Sequence, residues 1–268
     1  MSYRGRALKA LGCCLALLSG FCVASCKLKN EPVRLVDSDK RDAWGESLDQ
    51  TIVQAAALAA AGKYEDALEK HVWFHNHALE VDPNYRGVRR SFALEYWVKL
   101  GEKYPPALEK LIAIRDEATA KLESGETSWG LFADVQSINS YLREPEKTVA
   151  LFKRIESADP AFAGTIYGRA DEELISAGEY ALARKYLGDP LRHLEKARQN
   201  FESGIAFSKR QSAPETQQLM RRTTEQLFEA KAVRIIVVLA KTGDAKLARD
   251  LQSKALAVLD SPGIKSAL

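Results

Sequence analysis

Three of the chain's four histidines fall within seven residues, His71-Val-Trp-Phe-His-Asn-His77. Imidazoles at that density can ligate a metal ion, move protons or pack inside a helix. Segment 64–81 carries the apolar period of a helix. At about 100° per residue, Tyr64, Ala67, Leu68, His71, Val72, Phe74, His75, Ala78 and Leu79 fall on one wide stripe. His71 and His75 lie near its centre, with Trp73 and His77 on the other side. Three histidines on a regular helix therefore cannot meet one ion. His71 and His75 form an i, i+4 pair that needs a further ligand from another helix, and no HExxH pattern accompanies them. The expectation is two packed, hydrogen-bonded imidazoles and an exposed His77, with no cofactor; His71 and His75 stay the sole metal candidates. Trp73 shares its face with Asp66, Glu69, Lys70 and Glu80. It either packs on a neighbouring helix or lines a groove, so Trp73 and His77 are the candidate partner-binding residues.

Other reactive patterns are missing from the sequence. There is no Gly-rich phosphate loop and no GxSxG elbow, and all four cysteines lie in the first 26 residues. That excludes a disulfide framework, a zinc ribbon and a cysteine nucleophile in the body. His193 stands alone in a stretch rich in Arg, Lys and Glu and reads as surface. Arg89-Arg90, Arg221-Arg222 and Glu172-Glu173 read as solvated faces. Phe92, Tyr96 and Trp97 form a core stripe with Val88 and Leu100, and Trp129 and Phe132 read as core at the start of another helix.

The elements that position these residues follow an N-terminal targeting segment. Arg4, Arg6 and Lys9 form a basic region without acids, and Leu11–Ala24 is an apolar run too short for a stable membrane span. Val23-Ala-Ser-Cys26 then resembles the lipobox of bacterial lipoproteins. That resemblance implies diacylglycerol on the thiol of Cys26, cleavage before it and acylation of its amine. Residues 1–25 are then a signal peptide, and residues 26–42, polar and with Pro32, a tether. Two or three acyl chains hold firmly where one does not. Lys27 after the cysteine favours the outer membrane in a bacterium with two membranes. The precursor's pI is about 8.5. Removing residues 1–25 leaves the mature chain with no formal net charge, so nothing argues for nucleic acid.

From residue 43 to the end, helical signals dominate. Eight prolines fall between apolar-periodic segments, predicting helices at 43–61, 64–81, 86–100, 105–122, 127–143, 146–158, 162–177, 179–187, 190–209, 215–241 and 244–259. The β-branched run Ile235-Ile-Val-Val238 has long flanks of helix formers and reads as a buried helix. The punctuation repeats: Ala61-Gly-Lys-Tyr64-Glu-Asp-Ala67, Ala177-Gly-Glu-Tyr180-Ala-Leu-Ala183, and Thr242-Gly-Asp-Ala245-Lys-Leu-Ala248. Leu100-Gly-Glu-Lys-Tyr104-Pro-Pro-Ala107 is a variant with one extra residue. Glycine is expected to close the first helix at positive φ, the aromatic to wedge between helices and the alanine to let backbones approach.

This pattern resembles the tetratricopeptide repeat, as does the ending Asp82-Pro83-Asn84. The early Trp, Leu and Gly of the family's first helix are mostly missing, and the second helix of the first pair runs about one turn long. The resemblance implies an all-α superhelix, a divergent TPR-like array of four to six helix pairs over 43–260 within a domain 43–268. Another α-solenoid is the alternative fold. WFHNHALEVDP with LGEKYPPALEKL also resembles a group of bacterial TPR-like proteins. The expected function is a non-enzymatic, lipid-anchored scaffold of the bacterial cell envelope that binds a protein, peptide or envelope component. The alternatives are an accessory ligand-binding component of a transport or secretion system and, third, a metal-dependent enzyme around His71 and His75.

Overall fold

The computed structural model describes residues 45–268. The expected signal peptide (1–25), the expected lipidation site Cys26 and the expected tether (26–42) lie outside the described residues. Among these residues there are thirteen α-helices and no extended strand. They are α1 (Leu48–Ala60), α2 (Tyr64–Val81), α3 (Arg86–Arg89), α4 (Phe92–Gly101), α5 (Pro105–Glu123), α6 (Trp129–Leu142), α7 (Pro145–Ala158), α8 (Pro160–Ser176), α9 (Tyr180–Leu187), α10 (Pro190–Ser208), α11 (Pro214–Lys241), α12 (Ala245–Val258) and α13 (Pro262–Lys265). None is long and apolar enough to cross a membrane. The chain divides into two compact units at Pro145 and Glu146.

The starts follow from local chemistry. Ser47 and Gln50 form a reciprocal capping box at α1. Asp159, Asp189 and Ser261 each cap a helix whose next residue is proline, where the missing N–H costs nothing. Asp82 accepts from the Asn84 N–H (2.9 Å) and starts the 3-10 turn Pro83–Tyr85.

The repeated turns share one geometry at three sites. Gly62, Gly178 and Gly243 have φ of +77°, +78° and +93°. After each, an N–H reaches back five residues: Lys63 to Leu58 (3.0 Å), Glu179 to Leu174 (2.9 Å) and Asp244 to Leu239 (2.9 Å). Those carbonyls would otherwise be orphaned at a helix end. The motif alanines Ala67, Ala183 and Ala248, and Ala107 at the variant turn, are all fully buried.

The variant turn works differently. Gly101 lies inside α4 without a positive φ, so the expected left-handed closure does not occur there. A Cβ on Gly101 would sit 2.9 Å from Leu108 Cβ, so this glycine is needed for close approach of α4 and α5. Tyr64 and Tyr104 stack at 5.8 Å across the two turns of the first unit.

Two apolar clusters lie among the described residues of the first unit, residues 45–145. One joins Ala67, Leu94, Trp97, Leu100, Ala107, Leu111 and Ile138. The other joins Leu48, Ile52, Phe74, Ala78, Tyr85 and Ala93. The second unit, residues 146–268, is built on the 28-residue α11, against which α10 and α12 pack. The β-branched run is helical there, with Ile235, Ile236 and Val238 buried.

One expected helix is broken. Segment 86–100 splits at Arg90–Ser91, where the Arg90 and Ser91 N–H groups bond three residues back, to Gly87 (3.2 Å) and Val88 (3.2 Å). The Ser91 hydroxyl also donates to the Gly87 carbonyl (2.8 Å). The tightened turn stops the α-helical ladder.

Candidate functional site

The first unit holds most of the chemistry-bearing side chains that the sequence singles out. His71 and His75 are buried on one face of α2, and Trp97 from α4 packs against both. The Trp97 ring stacks on His71 at 5.6 Å and meets His75 edge-on at 5.9 Å. Its indole N–H donates to the Ala107 carbonyl (2.8 Å), which fixes the ring.

Arg89 completes the arrangement. Its Nε donates to the His75 carbonyl (2.5 Å), and its Nη2 stands 3.0 Å from His75 Nε2. A guanidinium can only donate, so Nε2 is the accepting nitrogen and His75 is the neutral Nδ1–H tautomer. Burial, with Arg89 beside it, lowers the His75 pKa to about 3, and burial lowers that of His71 to about 4. Both imidazoles are neutral at pH 7. The His71 Nε2 has no hydrogen-bond partner among the described residues.

A carboxylate from α6 ties the arginines down. Asp134 forms an ion pair with Arg89 Nη1 (2.6 Å) and accepts a hydrogen bond from Arg90 Nε (2.6 Å), with all three side chains nearly closed to solvent. Burial alone would raise the Asp134 carboxyl; the two guanidiniums outweigh it and hold it below the usual carboxylate range. Arg90 Nη2 donates to the Gly130 carbonyl (3.0 Å), and its guanidinium lies 5.3 Å from the centre of the Trp129 ring.

Two sequence expectations are corrected here. Arg89 and Arg90 are not a solvated face: both side chains are nearly closed to solvent and both reach one carboxylate, Asp134. Trp129 is not core: it occupies the first position of α6 and is 42 % exposed, whereas Phe132 one turn on is fully buried. Nothing in the spacing of residues 89 and 134 signals their pairing, which depends on how α3 and α6 meet. The second buried polar group was also missed. Arg115 of α5 is 4 % exposed and donates to Asn139 Oδ1 (2.8 Å) and Glu144 Oε2 (2.7 Å) around the C-terminus of α6.

The candidate partner residues lie elsewhere on α2. Trp73 is half-buried and packs on the cluster around Phe74 and Tyr85. His77 is exposed, with its ring 5.4 Å from that of Trp73 and its Nδ1 2.9 Å from Glu80 Oε2. The cluster that Trp73 packs on draws residues from α1, α4 and the turn at Tyr85 as well as from α2, which a helical projection of α2 alone does not include. His193 is exposed on α10, as expected.

As for metals, no group of three or more His, Cys, Asp or Glu side chains gathers among the described residues. A guanidinium 3.0 Å from His75 Nε2 also opposes a dication at that nitrogen. The arrangement performs packing and charge compensation: two neutral imidazoles against one indole, and one carboxylate between two guanidiniums. Comparison of the chain with protein-family models, with curated proteins and with solved structures gave no match.

Proposed function

We propose that the chain is a non-enzymatic, lipid-anchored scaffold of the bacterial cell envelope, held through acyl chains on Cys26. Its TPR-like helix pairs present a surface to a protein or peptide partner, with Trp73 and His77 on that surface. In a bacterium with two membranes, it sits at the periplasmic face of the outer membrane. The supporting observation is the repetition: three turns far apart in sequence close with the same left-handed glycine, the same five-residue back-bond and the same fully buried alanine. Stacked repeats of one local unit make extended surfaces suited to binding chains.

Two measurements test this on the full-length chain. Metabolic palmitate labelling is expected, and is lost in Cys26→Ala; label retained in that variant sinks the anchor. A photo-crosslinking residue at His77, compared with one at the exposed Glu202, is expected to give a discrete protein adduct at position 77 alone. A co-purifying small molecule with no protein adduct overturns the scaffold in favour of the ligand-binding reading.

A further inference from the structure

Helices α10 and α11 pack as a hairpin of the second unit, joined by residues 209–213. Part of the way along, the two helices touch closely. A Cβ on Gly204 would lie 2.6 Å from Thr224 Cγ2, and the rings of Phe201 and Phe228 stand 5.2 Å apart. Past Gly204, toward the connection, lies a cleft of about 290 Å³. Ile205 and Ser208 of α10 form one wall, and Pro214, Gln217, Gln218 and Arg221 of α11 the other, with Lys209 at the end. The α11 positions recur every three or four residues, which puts them on one face of that helix.

The lining is cationic and rich in hydrogen-bonding groups. Lys209 and Arg221 bring two positive charges, Gln217 and Gln218 bring two amides, and no carboxylate is among the lining residues. The acids of the adjoining turns are placed otherwise. Glu202 pairs with Arg198, and Glu215 is exposed on the first turn of α11, outside the lining. Glu225 accepts from Arg221 Nε (2.8 Å), which leaves both Nη groups of Arg221 unused. Among the described residues, the side chains of Lys209, Gln217 and Gln218 have no hydrogen-bond or ionic partner. The Ser208 hydroxyl donates to the Ile205 carbonyl (2.8 Å), so it offers the cleft an acceptor only.

We infer that this cleft binds a small organic monocarboxylate, one that carries an amide or hydroxyl group on a short apolar body. Lys209 and the Nη groups of Arg221 hold the carboxylate through charge-assisted hydrogen bonds. Gln217 and Gln218, each both donor and acceptor, take the amide or hydroxyl. The apolar body lies on Ile205 and Pro214. Charge sets the valence of the ligand. Lys209 and Arg221 against Glu225 leave one net positive charge, which a carboxylate neutralises. A phosphate monoester, at about −1.5 to −2 near neutral pH, exceeds it. Size sets the length, since ligand pockets run from about 300 to 1,000 Å³ and this one lies at the small end. The site belongs to the second unit and uses none of the α2 residues assigned to the protein partner, so it stands or falls apart from the scaffold.

Calorimetry and saturation-transfer NMR on the purified full-length chain in detergent test the site with three probes of similar size. N-acetylleucine carries the carboxylate, the amide and the apolar body; N-acetylleucinamide lacks the charge; isopentyl phosphate has more of it. N-acetylleucine is expected to bind saturably, and at least about ten-fold more tightly than either of the others. Lys209→Gln and Arg221→Gln are each expected to weaken it by at least about five-fold, with unchanged circular dichroism. Lys246→Gln, which removes the same charge from an exposed position on α12, is expected to leave it unaltered. Gln218→Trp fills the cleft from an exposed position and is expected to abolish binding. No saturable binding of any probe overturns the site. Equal affinity for N-acetylleucinamide, or unaltered affinity in both Lys209→Gln and Arg221→Gln, overturns the pairing of these cations with a carboxylate. Tighter binding of isopentyl phosphate overturns the monocarboxylate in favour of a phosphate ligand.

Discussion

The two units handle buried charge in opposite ways. In the first, Asp134, Arg89 and Arg90 are all close to nine-tenths buried, and none can swing to water. In the second, Asp171 is buried but its partners Lys231 (2.5 Å) and Arg234 (3.9 Å) are 30 % and 22 % exposed, and Arg234 also contacts Glu172 at the surface. Most other ion pairs of the second unit are exposed, as between Lys153 and Glu179 or Arg221 and Glu225. The contrast teaches that one sequence with similar charge throughout yields one unit whose core depends on complete pairing and another whose pairs are largely dispensable. A buried ion with no route to solvent is far more costly to orphan than one on a long side chain at the rim.

The sharpest way to break this contrast is to remove one carboxylate from each unit. Asp134→Ala leaves two guanidiniums facing each other in a closed site and is expected to cost about 3–5 kcal/mol. Asp171→Ala lets Lys231 and Arg234 turn outward and is expected to cost about 1–2 kcal/mol. Denaturant unfolding, with hydrogen exchange assigned to peptides from each unit, measures both. Equal costs would remove the distinction.

Acid sharpens it further. The folded pKa values of His71 and His75, about 4 and about 3, lie below the unfolded value near 6.5. Their contribution is therefore complete above pH 6.5. It is lost as pH falls from 6.5 toward 4 and 3, because the unfolded state binds protons that the folded core refuses. At pH 5 each imidazole costs about 2 kcal/mol, so about 4 kcal/mol together. The first unit is expected to open first between pH 6.5 and 4, with exchange protection lost at residues 64–101 and kept in α11. His71→Phe should remove about half of that pH dependence, since its Nε2 has no hydrogen-bond partner to lose. Uniform loss of protection across both units would contradict the assignment to these two histidines.

The smallest effects separate the two kinds of repeat glycine. Gly101→Ala drives a Cβ into Leu108 and is expected to cost about 1–3 kcal/mol. Gly62→Ala meets nothing within 4 Å and carries only the left-handed backbone penalty, about 1–2 kcal/mol. Thermal melts of the two variants check the order.

Much of the fold was legible in the residues. The prolines and the Gly–aromatic–Ala turns mark nearly every helix boundary, because proline at a first turn and glycine at positive φ act locally. Ile235–Val238 was readable as helix from its flanks. The break at Arg90–Ser91 was not, since Ser91 and Gly87 carry no proline and the stop depends on hydrogen bonds back to Gly87 and Val88. Of the candidate site, the opposite facing of His71 with His75 against Trp73 with His77 was visible, because 3.6 residues per turn sets it. The exposure of Trp129 and the burial of Arg89, Arg90 and Arg115 were not, because an amphipathic projection describes one helix and these side chains answer to a neighbour.

The sequence by itself determined the all-α class, most of the helix limits, the closure of three turns and which faces of α2 its histidines take. Those are consequences of backbone sterics and helical period, which involve residues a few positions apart. Tertiary structure alone decided that Trp97 lies between two neutral imidazoles, that one aspartate holds two arginines, and that Trp129 is left in the open beside them. Each of these joins residues some 20 to 45 positions apart. Desolvation and charge pairing depend on what surrounds a group in space, and that environment exists only once the helices have packed.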